Sequence, residues 1–395
     1  MKIIEGGLEN IPGYSFSAVE AGIKYENRLD YALIKSDIPC NAAGVFTTCK
    51  VTAAAVKLCK ERINNPISAI LVNATNANAS TGIQGCENAK TLTQDIAKLI
   101  NADASSILMS STGVIGRQLP VDKMLSAHKE LVQKLNPNNG QLFSKAIMTT
   151  DTFPKFYAVE FNASGTTYRI GGTAKGSGMI APNMATLLAY ILTDAPIKKD
   201  DLEKIFKDKI EKTLNSLTID GDMSTNDTAI ILSPIKQETL SNSDIAAFSE
   251  ALEAVLMKLA EMLAFDGEGA TKLIRVHVKG AQNYEDAKKA GKAIAESPLV
   301  KTAFFGEDPN WGRIACAAGY SGAALEEEKL SISFGSVKVL ENGTPISFDN
   351  ALLKDIISQR EINLEVDLGL GTAETVILTC DLSYDYVKIN GEYTT

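Results

Sequence analysis

The sequence predicts a mixed α/β (α+β) protein: two β-sheets packed face to face, with helices outside. Three observations point there. At 395 residues the chain exceeds what one hydrophobic core usually supports, so two domains or a large composite sheet are expected. Strand-like apolar runs punctuated by Gly/Asn-rich turns give way to amphipathic helices, and this block recurs on both sides of residue 186. In the tail, Ile362, Leu364, Val366, Leu368 and Leu370 alternate strictly with polar or glycine positions, the period of a strand buried on one face.

In chain order, strands are expected at Ala43-Gly-Val-Phe-Thr-Thr, Ser68-Ala-Ile-Leu-Val-Asn and Ile107-Leu-Met-Ser-Ser. A helix between the last two carries Leu92, Ile96 and Leu99 on one face. A second helix, 121–135, stops at the breaker cluster Asn136-Pro-Asn-Asn-Gly. Phe156-Tyr-Ala-Val-Glu-Phe and Thr166-Thr-Tyr-Arg-Ile read as a hairpin turning at Asn162-Ala-Ser-Gly. The apolar run Leu187-Leu-Ala-Tyr-Ile-Leu reads as a strand. Over 244–264, Ile245, Phe248, Leu252, Val255, Leu256, Leu259 and Leu263 form one helical stripe, which is core packing.

Composition narrows the function classes. Apolar residues make up 45% and charged residues 22%, as in an ordinary globular protein. A net charge of −9 argues against nucleic acid or an anionic membrane as main partner. Met1-Lys-Ile-Ile-Glu-Gly-Gly turns polar at once, so no signal peptide is expected, and no apolar run reaches membrane-spanning length. The six cysteines, at 40, 49, 59, 86, 316 and 380, lack C-x-x-C or zinc spacing and read as reduced, mostly buried thiols of a cytoplasmic protein. No residue cluster suggests a metal, so none is expected.

Two histidines leave little room for a histidine base. His128 reads as a surface-facing helix position, and His277 alternates with Ile274, Val276 and Val278 in a strand. A base of another kind fits the segment Lys175-Gly-Ser-Gly-Met-Ile-Ala-Pro-Asn-Met-Ala-Thr186. There a small-residue bond, Ala185–Thr186, follows a Gly-rich bend. A hydroxyl after such a bond can attack the preceding carbonyl, freeing a new N-terminus and a threonine nucleophile with its own amine as base. That amine, with a reference pKa of about 7.7–8.0, is partly free base near neutral pH.

Read together, several segments resemble the glutamate N-acetyltransferase family, also called ornithine acetyltransferases, over nearly the whole chain. They are Ala42-Ala-Gly-Val-Phe-Thr-Thr, Asn76-Ala-Asn-Ala, Ser111-Thr-Gly-Val-Ile-Gly, Thr149-Thr-Asp-Thr, the central motif, Asp266-Gly-Glu-Gly-Ala-Thr-Lys and Asp308-Pro-Asn-Trp-Gly-Arg. One departure is Asn73-Ala-Thr before Asn76, where Asn-Ser-Gly is expected; it reads as a loop substitution.

The resemblance implies a layered α/β/β/α fold and a proenzyme that cuts itself between Ala185 and Thr186. The α chain (1–185) and β chain (186–395) would stay together and pair again as a heterotetramer of two α and two β. The implied reaction is ping-pong: N-acetylornithine acetylates Thr186, ornithine leaves, and glutamate collects the acetyl group. No cofactor is implied, with acetyl-CoA a co-substrate where a member is bifunctional. A related aminopeptidase or amidase, and an uncleaved amino-acid-binding protein, stay open as alternatives.

The resemblance also assigns residues. Thr186 is nucleophile, although by itself it reads equally as a β-branched strand residue. Thr112 and Gly113 match the oxyanion hole, and otherwise read as a loop after a strand. Lys175, which lacks the G-x-x-x-x-G-K-[ST] context of a P-loop, would bind the substrate's carboxylate side with Thr149 nearby. Glu268 would face the substrate's amine, where a turn glutamate is otherwise simply solvated. Asn390 and Thr395 would close the pocket. Trp311, the single tryptophan, reads as part of a structural loop at least as well as a substrate contact.

Overall fold

The computed structural model describes residues 1–181, 187–241 and 243–392. The expectations at Ala185, Thr186 and Thr395 therefore lie outside the described residues. The larger sheet has nine strands: β1 (Lys2–Ile4), β2 (Tyr14–Val19), β3 (Tyr31–Phe46), β4 (Ile67–Asn73), β5 (Ile107–Ser111), β6 (Lys155–Ala163), β7 (Thr166–Lys175), β8 (Leu188–Thr193) and β9 (Thr228–Pro234). The smaller has six: β10 (Leu273–Ala281), β11 (Ser331–Phe334), β12 (Val337–Glu341), β13 (Thr344–Pro345), β14 (Glu361–Asp367) and β15 (Ala373–Cys380).

The nine-stranded sheet folds over on itself through β3. That strand's first half pairs with β2 and β4, its register shifts between Lys35 and Cys40, and its second half pairs with β9. An irregularity of this kind bends a strand and increases its twist. The order β1-β6-β7-β8-β9-β3-β4-β5 thus becomes two facing layers. Phe16, Ala18, Ile34, Ile70 and Val72 of one layer share a core with Leu188, Tyr190, Leu192, Ile230 and Leu232 of the other. Tyr14 crosses the gap, its Oη donating to the carbonyls of Thr193 (3.0 Å) and Leu232 (3.3 Å).

Helices cover both outer faces. In chain order they are α1 (Ala54–Arg62), α2 (Gly82–Leu99), α3 (Val121–Gln133), α4 (Gly140–Ala146), α5 (Lys199–Lys212), α6 (Ile245–Phe265), α7 (Tyr284–Glu296), α8 (Pro298–Phe305), α9 (Trp311–Tyr320), α10 (Asn350–Ser358) and α11 (Tyr384–Glu392). On one side α1 and α2 pack on β5 and α3 on β2 and β3; on the other α6 packs on β6 and β7 and α5 on β3. The expected α/β/β/α layering is observed. The two layers, however, are one continuous sheet drawing strands from both sides of residue 186, because the long β3 is hydrogen-bonded into both.

The second sheet is a further layer. Its inner face meets α6 through Leu273, Leu378 and Cys380, and its outer face carries α7–α10. The β6–β7 hairpin turns on two residues, Ser164 (φ 48°) and Gly165 (φ 78°), whose positive φ values match a strand pair's right-handed twist.

Several sequence expectations need correction. His128 is not surface-facing: it belongs to the buried α3 stripe of Met124, Ala127, His128 and Leu131 and is fully buried. Its burial is compensated by Tyr31 Oη on Nε2 (2.7 Å) and Asp95 Oδ2 on Nδ1 (2.7 Å). Leu99 is exposed, because the last turn of α2 runs past the surface that covers Leu92 and Ile96. Asn136–Gly140 ends α3 but passes directly into α4, since the Asn136 side chain accepts from Asn138 N and starts a new helical turn. Three cysteines, at 40, 59 and 380, are buried; Cys49 and Cys86 are half-buried and Cys316 is exposed. No described helix is long and apolar enough to cross a membrane.

Candidate active site

A cleft of about 300 Å³ lies where β5 and β7 end and β8 and β9 begin. Thr112, Gly113, Thr149, Lys175, Glu268 and Asn390 all line it. Six positions from five distant segments therefore converge, and Ala185, Thr186 and Thr395 lie outside the described residues. Leu187 and Leu188 also line the cleft.

Thr112 and Gly113 follow β5 directly. The Thr112 N–H is spent on the Asn73 carbonyl (3.0 Å), so its hydroxyl faces the cleft, 3.3 Å from Lys175 Nζ. Gly113 has φ 131°, and a Cβ there would lie 2.2 Å from the Thr75 carbonyl carbon and 2.5 Å from Asn76 N. Neither backbone atom can yield as a side chain could. Gly113→Ala is expected to displace this turn and lower turnover about 100-fold or more, the scale of losing one oxyanion donor, as steady-state kinetics would measure.

The opposing wall of this turn holds Thr75, the residue standing where glycine is expected. Its φ is 73°, a left-handed conformation unusual for a β-branched side chain, and its buried Oγ1 has no hydrogen-bond partner among the described residues. The departure from the motif therefore bears on the cleft wall as well as on a loop.

Behind the cleft lies a charge network that sequence reading missed. Lys155, at 0% exposure, bonds Asp151 Oδ1 (2.7 Å) and Asp266 Oδ2 (2.5 Å). Asp151 in turn accepts from Thr149 N (3.0 Å) and Gly176 N (2.7 Å). Asp266 holds Thr152 N and Oγ1, while its carbonyl accepts from Ser177 Oγ (2.5 Å). Ser177 O accepts from Glu268 N (2.8 Å). One buried lysine thus ties together the backbone that presents Thr149, Lys175 and Glu268. A lysine opening an apolar strand was the available signal, but its partners lie far away in sequence.

Burial pushes the Asp151 carboxyl up, yet the Lys175 and Lys155 ammonium groups outweigh it and hold the group down at about 2. Burial lowers Lys175, with Asp151 the leading opposing charge. Glu268 accepts from Asn390 Nδ2 (2.9 Å), joining α11 to the rim. Asp227, Asn226, Thr225, Thr150 and Met179 also line the cleft and were not singled out in the sequence.

Two other motifs are structural. Asp308-Pro-Asn-Trp-Gly-Arg starts α9, with Asn310 Oδ1 accepting from Arg313 N (3.2 Å) and Trp311 packed on the outer core. His277 is a half-exposed strand position bonded to Glu374 (3.0 Å).

A profile of the ArgJ family matches residues 15–395. The chain is 46% identical to an arginine biosynthesis bifunctional protein ArgJ of Caldanaerobacter subterraneus subsp. tengcongensis, over the whole of both chains. Among solved structures, it is similar to arginine biosynthesis bifunctional protein ArgJ from Bacillus halodurans (TM-score 0.49, 38% identity), over 52% of this chain and 98% of that one. It is also similar to ornithine acetyltransferase from Mycobacterium tuberculosis, solved with ornithine (TM-score 0.44, 32% identity), over 47% of this chain and 98% of that one.

Proposed function

The chain belongs to the ArgJ family, and from that premise we propose that it moves the acetyl group of N2-acetyl-L-ornithine to L-glutamate in arginine biosynthesis. It is an acyltransferase. The observation that carries the reading is the convergence of Thr112, Gly113, Thr149, Lys175, Glu268 and Asn390 on one cleft also lined by Leu187, the residue after Thr186.

Cleavage between Ala185 and Thr186 supplies the nucleophile. The Thr186 amine takes the hydroxyl proton, and the oxygen attacks the acetyl carbon. The oxyanion is stabilised by the Thr112 hydroxyl and the Gly113 turn, with Lys175 adding positive charge. The tetrahedral intermediate collapses as the amine returns the proton to the departing ornithine nitrogen. Glutamate's amine then attacks the acetyl-threonine ester by the same route in reverse. Lys175 and Thr149 serve the substrate's carboxylate side, Glu268 faces its amine, and Asn390 with Thr395 closes the pocket.

Cleavage need not separate the halves. β7 and β8, on either side of the cut, pair from Ile170↔Thr193 to Lys175↔Leu188, so the α and β chains share one sheet. Two such pairs would form the heterotetramer, acting in the cytoplasm. The relatives are called bifunctional, and acetyl-CoA-dependent acetylation of glutamate is the second activity we carry over.

The test is an assay with N-acetylornithine as donor. Glutamate-dependent release of ornithine with matching N-acetylglutamate is expected. Acetate release without glutamate would replace this reading with the amidase one, and repeating the assay with acetyl-CoA tests the second activity.

A further inference from the structure

The oxyanion site assigned to Thr112 and Gly113 is a turn, and its donors are only as well placed as the backbone that enters it. The strand β8 reaches the same cleft from another part of the sheet. Asn226, which also lines the cleft, has bonds that lead to both.

Asn226 is 6% exposed and stands just before β9. Both hydrogens and the oxygen of its side-chain amide have partners. Nδ2 donates to the carbonyls of Ala77 (2.6 Å) and Ser111 (2.8 Å), and Oδ1 accepts from Thr225 Oγ1 (2.6 Å). A carbonyl can only accept, so this orientation of the amide follows from its partners.

The bond to Ser111 bears directly on the turn. The Ser111 carbonyl and the Thr112 N–H belong to one planar peptide group. Asn226 holds the oxygen of that group, and Asn73 O accepts from its nitrogen (3.0 Å). A peptide plane held at both ends restricts where the Thr112 hydroxyl and the following Gly113 N–H can point. The bond to Ala77 secures the neighbouring loop, where Ala77 N donates to Val114 O (2.9 Å) and Val114 N to Thr75 O (3.3 Å).

Asn226 is tied to β8 as well. Its carbonyl accepts from Thr228 Oγ1 (2.9 Å), Thr228 N donates to Leu187 O (2.8 Å), and Leu188 pairs in parallel with Thr228. Bonds from Ala53 N to Thr225 O (3.0 Å) and from Thr47 N to Asp227 O (3.0 Å) hold the segment on either side.

We propose that Asn226 is a positioning residue for acyl transfer, setting the oxyanion turn in a fixed place relative to the start of β8. The proposal rests on the reading of Thr112 and Gly113 as the oxyanion site of an acetyltransferase. Asn226 acts through the Ser111–Thr112 peptide and not on the substrate. Misplacing an oxyanion donor weakens an interaction made in the transition state, so turnover falls while substrate binding does not.

The test uses the full chain, with denaturing mass spectrometry giving the cleaved fraction and rates expressed per cleaved chain. Asn226→Asp keeps the shape of the side chain and sets an oxygen against the two carbonyls. It is expected to lower kcat about 100-fold while KM for N-acetylornithine and for glutamate stays within about threefold. Thr112→Ala tests the route. If both variants impair one turn, the double variant falls at least about fivefold short of the product of the single losses. An Asn226→Asp kcat within about threefold of wild type, a loss confined to KM, or a double variant closer to the product than that would overturn the proposal. Thr225→Val keeps the branched shape and removes the hydroxyl that orients the amide, so it should lower kcat about tenfold with KM unchanged. That variant decides where Asn226→Asp fails to cleave or to match the wild-type urea transition, and a kcat within about twofold of wild type then overturns the proposal. A wild-type chain without glutamate-dependent transfer sinks the acetyltransferase reading itself; a normal Asn226→Asp leaves that reading standing.

Discussion

Replacing Thr186 with alanine is expected to leave the chain whole and to cut acetyl transfer by roughly a million-fold, the scale seen when a covalent nucleophile is removed. The two losses have one cause. The same hydroxyl attacks the Ala185 carbonyl during maturation and the acetyl carbonyl during turnover, so no compensation at one step rescues the other. Thr186→Ser keeps a hydroxyl on a less constrained side chain, and some of each activity should survive. Mass spectrometry of each variant, followed by the N-acetylornithine and glutamate assay, reads both steps. An alanine variant that transfers acetyl groups normally would end the mechanism.

Lys155→Met should be the most damaging substitution away from the reacting atoms. Methionine has a similar reach but no charge, and it would leave Asp151 and Asp266 buried without their shared cation. Removing one partner from a buried ion pair typically costs about 3–5 kcal/mol, because the remaining charge cannot be solvated. Urea unfolding measures that loss. Turnover should fall with it, since Asp151 positions the Thr149 and Gly176 backbone while Asp266 positions Ser177 and, through it, Glu268. A variant of unchanged stability would show that the network does not hold the cleft together.

The same network predicts an acid limb. Asp151 is held at about 2 in the folded state, below the unfolded value near about 3.9. Its contribution to stability is therefore complete above about pH 4 and is lost as pH falls from about 4 towards about 2. Without Lys155 the carboxyl would protonate at higher pH, so acid unfolding of the methionine variant should begin earlier.

Legibility varied with the range of the physics involved. The hairpin at residues 164 and 165, the α6 stripe and the alternating β14 were readable because turn chemistry and face periodicity depend on near neighbours. The cleft residues were readable as motifs, through a resemblance, and not as a place. His128 was misread because a lone polar residue in a helical stripe gives no hint of partners such as Tyr31, 97 residues away.

By itself the sequence determined the layered α/β class, the helix and strand faces, and a threonine after a small-residue bond as the chemistry to look for. The tertiary structure alone decided that β3 joins both layers into one sheet, that Lys155 is buried against an aspartate 111 residues away, and that Asp227 Oδ2 is buried without a hydrogen-bond partner among the described residues. The reason is physical. Local propensity and periodicity act over a few residues, whereas burial, charge pairing and the cost of an unpaired oxygen are set by whichever distant segments the fold brings alongside.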